Sequence, residues 1–318
     1  MSQENNPSEI RIIFFGTPEF SAKTLESLVL NKYQISAVIT QPDKITGRKK
    51  ILSPSPVKML AENLGIAVLS PLTLKDDSFF DQFKNLNPDI CIVVAYGKII
   101  PERYLTVPKY GFINIHPSLL PKHRGPSPIQ SAILNGDKET GVSIMVVDKE
   151  MDHGPIIKIE KLKEDISNLY YPELRDKLSQ LGNEMLIEIL PKFISGDLKP
   201  EEQNHKDSTL CQKIEKEDAK INWHDPTFKI YNQIRALNPE PKTWTKFKDK
   251  ILNITKAKIH DKVANERPGT VIKKDNQIIV ATGDKFIEIE TLQLEGKNPI
   301  SAKNFSNGYK DFIGSILG

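Results

Sequence analysis

The chain has 318 residues, 38% hydrophobic and 27% charged, with a formal net charge of +3. That length predicts two domains, each with its own core, and no apolar run approaches the roughly 20 residues that span a bilayer. The opening MSQENNPSEI lacks the charged and apolar regions of a signal peptide, so no membrane partner and a cytoplasmic location are expected.

Residues 1–8 are expected to form a disordered tail. IRIIFF (10–15) then reads as a buried strand, GTPEF as a turn, and SAKTLESLVLNK (21–32) as a helix with Leu25, Leu28 and Leu30 as apolar positions. FFGTPEF holds one glycine where a G-x-G-x-x-G dinucleotide loop needs three, which excludes close backbone approach to a pyrophosphate and with it NAD binding. QISAVIT (34–40) is a further strand. TQPDKITGRKKILSPSPVK (40–58) is a loop too polar to pack, whose Lys44, Arg48, Lys49, Lys50 and Lys58 suit phosphate contacts or simply a solvated surface.

Strand patterns follow at GIAVLS (65–70), DICIVVAY (89–96), GFINIH (111–116) and GVSIMVVD (141–148), with a helical stretch near 76–86 and a long one over 170–196. Near-continuous apolar strands separated by helices predict an α/β, Rossmann-like domain over 9–196 with a mostly parallel sheet covered on both faces. Ligands of such sheets bind beyond the carboxyl ends of the strands, which puts GTPEF, AYG and NIHPS on one rim. Cys91 lies inside an apolar strand and reads as core. With Cys211 as the only other cysteine, a disulfide framework and a cysteine-rich zinc site are excluded.

DLKPEEQNHKDSTL (197–210) is polar and reads as a linker. Over 211–318 a period-two pattern punctuated by Gly, Asn and Asp predicts a smaller antiparallel β domain, a barrel of OB-like form. Residues 207–318 carry 19 Lys and Arg against 15 Asp and Glu, whereas the rest of the chain is slightly acidic. A basic end on a near-neutral body points weakly to a polyanionic partner.

In FINIH, alternation places Asn114 and His116 on one face and Ile113 and Ile115 on the other. A polar pair at the end of a buried strand needs hydrogen-bond partners or a chemical purpose. Downstream, DKEMDHGP supplies Asp148, Asp152 and His153, and Asp152 in the turn is either a turn-former or a third group folded back to the same rim. An amide, an imidazole and a carboxylate suit acyl-group transfer without a covalent enzyme intermediate: two donors face an oxyanion while the carboxylate orders charge and protons. No G-x-S-x-G elbow is present. SLLPKHRGPSP (118–128) is apolar and then rigid, able to hold a flat heteroaromatic ligand.

These stretches together resemble the methionyl-tRNA formyltransferase family. FFGTPEFS, TQPDK..GR.K...SPVK, VVAYG.I.P, INIHPSLLPKHRG..PIQ, MD.GP, KI.KEDA.I.W and IRA.NP.P.TW occur in order across nearly the whole chain. The resemblance implies a catalytic set of Asn114, His116 and Asp152. It implies folate binding by Ser118, Leu119, Leu120 and Pro121, and contacts of Arg48, Lys49 and Lys50 with the acceptor stem of the initiator tRNA. Its implied co-substrates are 10-formyltetrahydrofolate and initiator methionyl-tRNA, with no metal, and the second domain is implied to contact the tRNA. A monomer is expected. Two alternatives remain at this level: formyl transfer to a sugar amine or hydrolysis, which needs neither the basic loop nor a second domain, and a non-catalytic RNA-binding protein, which leaves Asn114, His116 and Asp152 without a purpose.

Overall fold

The computed structural model describes residues 10–46 and 51–318, so the expected tail and the loop residues Arg48, Lys49 and Lys50 lie outside the described residues. The chain divides into two compact units. The first comprises residues up to Pro128, Thr140–Lys163 and Arg175–Cys211; the second comprises Ile129–Glu139, Glu164–Leu174 and Gln212–Gly318.

The first unit is built on a seven-stranded sheet. In chain order its regular elements are β1 (Arg11–Gly16), α1 (Glu19–Leu30), β2 (Gln34–Ile39), β3 (Lys44–Thr46), β4 (Ile51–Ser53), α2 (Pro56–Asn63), β5 (Val68–Leu69), α3 (Asp77–Asn85), β6 (Ile90–Val94), α4 (Glu102–Leu105) and β7 (Phe112–His116). After α5 (Pro128–Asn135), which from Ile129 on falls in the second unit, come β8 (Gly141–Val146), β9 (Ile156–Lys161) and α6 (Tyr171–Ser195), the last belonging to the first unit from Arg175 on. The strand order is β5-β2-β1-β6-β7-β8-β9, with β5, β2, β1, β6 and β7 parallel and β8 antiparallel to both neighbours. The mostly parallel, Rossmann-like sheet expected from the apolar runs is therefore present, with β8 reversed.

Register puts Gly16 opposite Val94 and Val93 opposite Asn114, so β1, β6 and β7 end along one edge. One face of these strands packs an aromatic layer: Phe15 lies 5.3 Å from Tyr96, 5.4 Å from Phe112 and 6.2 Å from Phe83, ring centre to ring centre. Cys91 belongs to the same cluster, and its complete burial pushes the thiol well above its ordinary pKa, as a core residue rather than a nucleophile requires.

Three elements were hidden by the polar composition of 40–58. β3 and β4 pair as an antiparallel hairpin, Ile45 opposite Leu52, and α2 begins at Pro56. The SPSP sequence accounts for the helix start: Ser55 caps it by accepting from the Lys58 amide, and proline at the first helical position gives up an N–H that has no partner there anyway.

The second unit holds α7 (Thr227–Ala236), β10 (Trp244–Phe247), β11 (Lys250–Val263), β12 (Val271–Lys274), β13 (Gln277–Ala281), β14 (Lys285–Leu294), β15 (Ile300–Ser301) and α8 (Ala302–Gly308). Its strands form a six-stranded antiparallel sheet in the order β10-β11-β14-β13-β12, with β15 on β14. Asp275 and Asn276, both at positive φ, make the two-residue turn between β12 and β13, the conformation that matches the twist of a hairpin. The two edges are bridged by the last residues: the Leu317 amide donates to the Gly269 carbonyl beside β12, and the Gly318 amide to Lys246 in β10. That curls the sheet around a core that includes Trp223, Ile254, Val280, Ile287, Leu292 and Phe305. Arg235, 1% exposed, ties α7 to residues 164–174 by donating to the carbonyls of Ile166 and Leu169 at 3.2 and 2.6 Å; burial holds its pKa below the ordinary arginine value.

Removing the Phe83 ring, which α3 packs against Phe15, Tyr104 and Phe112, leaves a cavity that the close-packed surroundings cannot fully fill. Phe83→Ala is expected to cost about 3–5 kcal/mol, read as a lower denaturant midpoint in equilibrium unfolding.

Candidate active site

Asn114 and His116 project from β7 as strand alternation requires, with Ile113 and Ile115 buried on the opposite face. Asp152 reaches them from the turn between β8 and β9. Its Oδ1 accepts from Asn114 Nδ2 at 3.3 Å and lies 3.5 Å from His116 Nδ1, while its Oδ2 accepts from the Gly125 amide at 2.8 Å. The structure thus brings the three sequence-derived residues into one cluster, with His116 only 4% exposed and Asn114 and Asp152 half-buried.

His116 Nε2 sits 2.9 Å from the His123 carbonyl oxygen. A carbonyl only accepts, so Nε2 carries a hydrogen and donates. Nδ1 is therefore the nitrogen turned toward Asn114 and Asp152, and 3.5 Å is longer than a hydrogen bond. One imidazole nitrogen holds the ring in place and the other faces the rim.

Two glycines make this geometry possible. Gly125 has φ +120°, and a Cβ there would stand 2.3 Å from the Cys211 carbonyl oxygen; a Cβ on Gly154 would stand 2.1 Å from the Val146 carbonyl oxygen. The backbone packs too closely at both points for any side chain. Gly125 can therefore aim its amide at Asp152, and the MDHGP turn can fold back onto β8.

The next loop, Ser118–Pro121, lies against β8. Ser118 is fully buried; its hydroxyl donates to the Lys122 carbonyl at 2.6 Å, and its carbonyl accepts from Ser143 Oγ at 2.7 Å. Leu120 is buried, its amide held by Ser143 Oγ at 3.0 Å, whereas Leu119 and Pro121 keep partial exposure. Ser118 and Leu120 thus fix the shape of the loop, and Leu119 and Pro121 are the members with surface left to meet a ligand. Among the described residues no group of three or more His, Cys, Asp or Glu is arranged to hold a metal ion, and no helix is long and apolar enough to cross a membrane.

Sequence reasoning missed the groups that stand behind Asp152. Residues 197–210, expected as a linker, are tied to the first unit: Glu201 bridges Ile156, Leu210 bridges Arg124, and Gln203 is 5% exposed. Gln203 meets Arg124 on one side and the backbone of the MDHGP turn on the other. His205 also accepts from the Arg124 guanidinium, its Nδ1 2.9 Å away, and stacks on His153 with ring centres 4.1 Å apart. His153 is in turn 2.7 Å from Asp148. The only hint in the sequence was QNH, a cluster of hydrogen-bonding side chains in an otherwise charged stretch.

Residues 10–190 match the model of the formyl transferase family and 213–310 that of the formyl transferase C-terminal domain. A methionyl-tRNA formyltransferase of Caldanaerobacter subterraneus subsp. tengcongensis is 42% identical over 97% of this chain and all of its own length. The chain belongs to the methionyl-tRNA formyltransferase family. A family member from Dictyoglomus turgidum is 44% identical over 96% of this chain and 98% of its own. Among solved structures, HypX from Aquifex aeolicus in complex with tetrahydrofolic acid superposes with a TM-score of 0.68 at 18% identity, over 96% of this chain and 48% of that one. An N-formyltransferase from Helicobacter canadensis, in complex with folinic acid and dTDP-3-aminofucose, gives 0.67 at 21% identity, over 88% and 99%. At those identities the likeness establishes a shared fold.

In this formyltransferase, Gly125→Ala meets both a forbidden φ and a backbone oxygen, so the loop carrying the Asp152 amide partner must shift. The expected cost is about 2–4 kcal/mol in denaturant unfolding, together with a loss of formyl transfer larger than unfolding accounts for at the assay temperature.

Proposed function

We propose that this chain transfers the formyl group of 10-formyltetrahydrofolate to the α-amine of methionine carried by initiator tRNA. The observation that carries the chemistry is the cluster of one amide, one imidazole and one carboxylate at the carboxyl end of β7, with the partners just described. Family membership carries the substrates.

The folate supplies the formyl carbon to which the amine nitrogen bonds, and it leaves with its own nitrogen reprotonated. As the amine attacks, the formyl oxygen gains negative charge. Asn114 gives one amide hydrogen to Asp152, which leaves a second to donate to that oxygen. His116 Nδ1 faces the same space and donates there when the ring is the imidazolium, in which both nitrogens carry hydrogen, the other being held on the His123 carbonyl. Donors already in place when charge develops stabilise the transition state more than the neutral formamide, on the order of 3–4 kcal/mol for each well-aimed one. Asp152 orients the Asn114 amide, faces His116 Nδ1 as a nearby negative charge, and accepts the proton that the attacking amine sheds. No covalent enzyme intermediate is needed.

The donor set fits the formamide group of the folate, and Leu119 and Pro121 offer partly exposed apolar surface for a flat ring, with Ser118 and Leu120 shaping the loop beneath them. We assign the basic loop, with Arg48, Lys49 and Lys50, to the tRNA backbone, and the antiparallel second domain to the same nucleic acid. Supporting the loop's assignment, its base is a hairpin braced by Lys58, which pairs with Asp43 at 2.9 Å. The protein acts as a soluble monomer of the cytoplasm in this reading.

His116→Ala is expected to lower turnover at saturating substrates by at least about a hundredfold, the scale of one lost oxyanion donor; near-normal turnover with charged initiator tRNA sinks the assignment. Arg48→Ala should mainly weaken tRNA binding and reduce the slope of log K against log salt by about one. Binding measured over a salt series decides it, and an unchanged slope removes Arg48 from the interface.

A further inference from the structure

We infer that Gln203 is a positioning residue for formyl transfer, holding the Asp152 turn in its working conformation through the turn's backbone; this rests on the functional reading above. Asp152 has φ +51° and Gly154 follows two residues later. The Gln203 carboxamide nitrogen donates to the carbonyls of both, at 3.0 Å to Asp152 and 2.8 Å to Gly154. Its oxygen accepts twice from the Arg124 guanidinium, at 3.1 Å from Nε and 2.6 Å from the terminal nitrogen. Arg124 immediately precedes Gly125, whose amide donates to the Asp152 carboxylate. The same glutamine therefore clamps the backbone of Asp152 on one side and the residue that presents its hydrogen-bond donor on the other.

Only a carboxamide completes this arrangement. Its oxygen meets donors and its nitrogen meets acceptors, and at 5% exposure water cannot substitute for either half. Arg124, 6% exposed, also depends on the buried Gln203 and the exposed His205 as acceptors. A displacement of the turn by about 1 Å moves the Asp152 carboxylate out of reach of Asn114 and the Gly125 amide, and misplacement on that scale costs on the order of a hundredfold in rate.

Glutamate at this position separates the two halves. It keeps, and charges, the contact to Arg124 but presents an oxygen to two carbonyl oxygens, so the turn loses its donor while the packing stays the same size. The experiment compares Gln203→Glu, Gln203→Ala, Asp152→Asn and the Gln203→Ala/Asp152→Asn double variant in steady-state formylation of charged initiator tRNA with 10-formyltetrahydrofolate. Unfolding midpoints are recorded in parallel. The expected result is a fall in kcat of about 10- to 100-fold for both single Gln203 variants, with KM for each substrate changed less than about threefold, and less than about twofold further loss when Gln203→Ala is added to Asp152→Asn. If Gln203→Ala unfolds, Gln203→Glu still decides. Wild-type turnover in Gln203→Glu, or losses that simply multiply in the double variant, overturn the inference while Asp152→Asn remains impaired. Full turnover in Asp152→Asn instead overturns the underlying assignment of Asp152, whatever Gln203 does.

Discussion

Asp152 reaches its partners only because its backbone occupies φ +51°, a left-handed conformation that costs a residue with a side chain roughly 1–2 kcal/mol. A free turn of this composition relaxes. Here the conformation is held from both ends: the Gln203 carboxamide binds the turn's carbonyls, and the Gly125 amide binds the carboxylate. The two tight glycines follow from the same constraint, because each lets one backbone segment approach another closely enough for those bonds to form.

The sheet beneath gives the turn something rigid to act against. β7 lies between β6 and β8, with Asn114 opposite Val93 on one side and Met145 on the other, so its polar pair cannot move without breaking ladders on both sides. The aromatic layer of Phe15, Phe83, Tyr96 and Phe112 fills the space below the rim. Burial raises the Tyr96 phenol well above its ordinary pKa, so it stays neutral and its bulk serves packing. The two proposed donors thus sit on the end of β7 rather than on a free loop, in place before a substrate arrives.

The nucleic-acid contacts proposed above rest on different material. The hairpin of β3 and β4 keeps Ile45, Ile51 and Leu52 largely exposed, which a purely structural hairpin would avoid. In the second unit the closing residues cover the ends of the sheet, Leu317 pairing with Gly269 beside β12 and Gly318 with Lys246 in β10.

The sequence by itself determined most strands of the first sheet: continuous apolar runs with helices between them dictate a buried, mostly parallel sheet, and the two-residue period of FINIH dictates that Asn114 and His116 share a face. It determined the family through ordered motifs. It did not disclose β9, α5 or α7, whose patterns are short or mixed with charge, nor that 129–139 and 164–174 belong with the second unit. Above all it concealed Gln203, Arg124 and His205, because a buried polar side chain and a solvated one look alike in a sequence. Gln203 and Arg124 are buried through partners far along the chain, and Arg124 also meets the exposed His205, 81 residues away. Only the tertiary structure makes those groups satisfy one another, and desolvation then turns a polar, linker-like stretch into the support of Asp152.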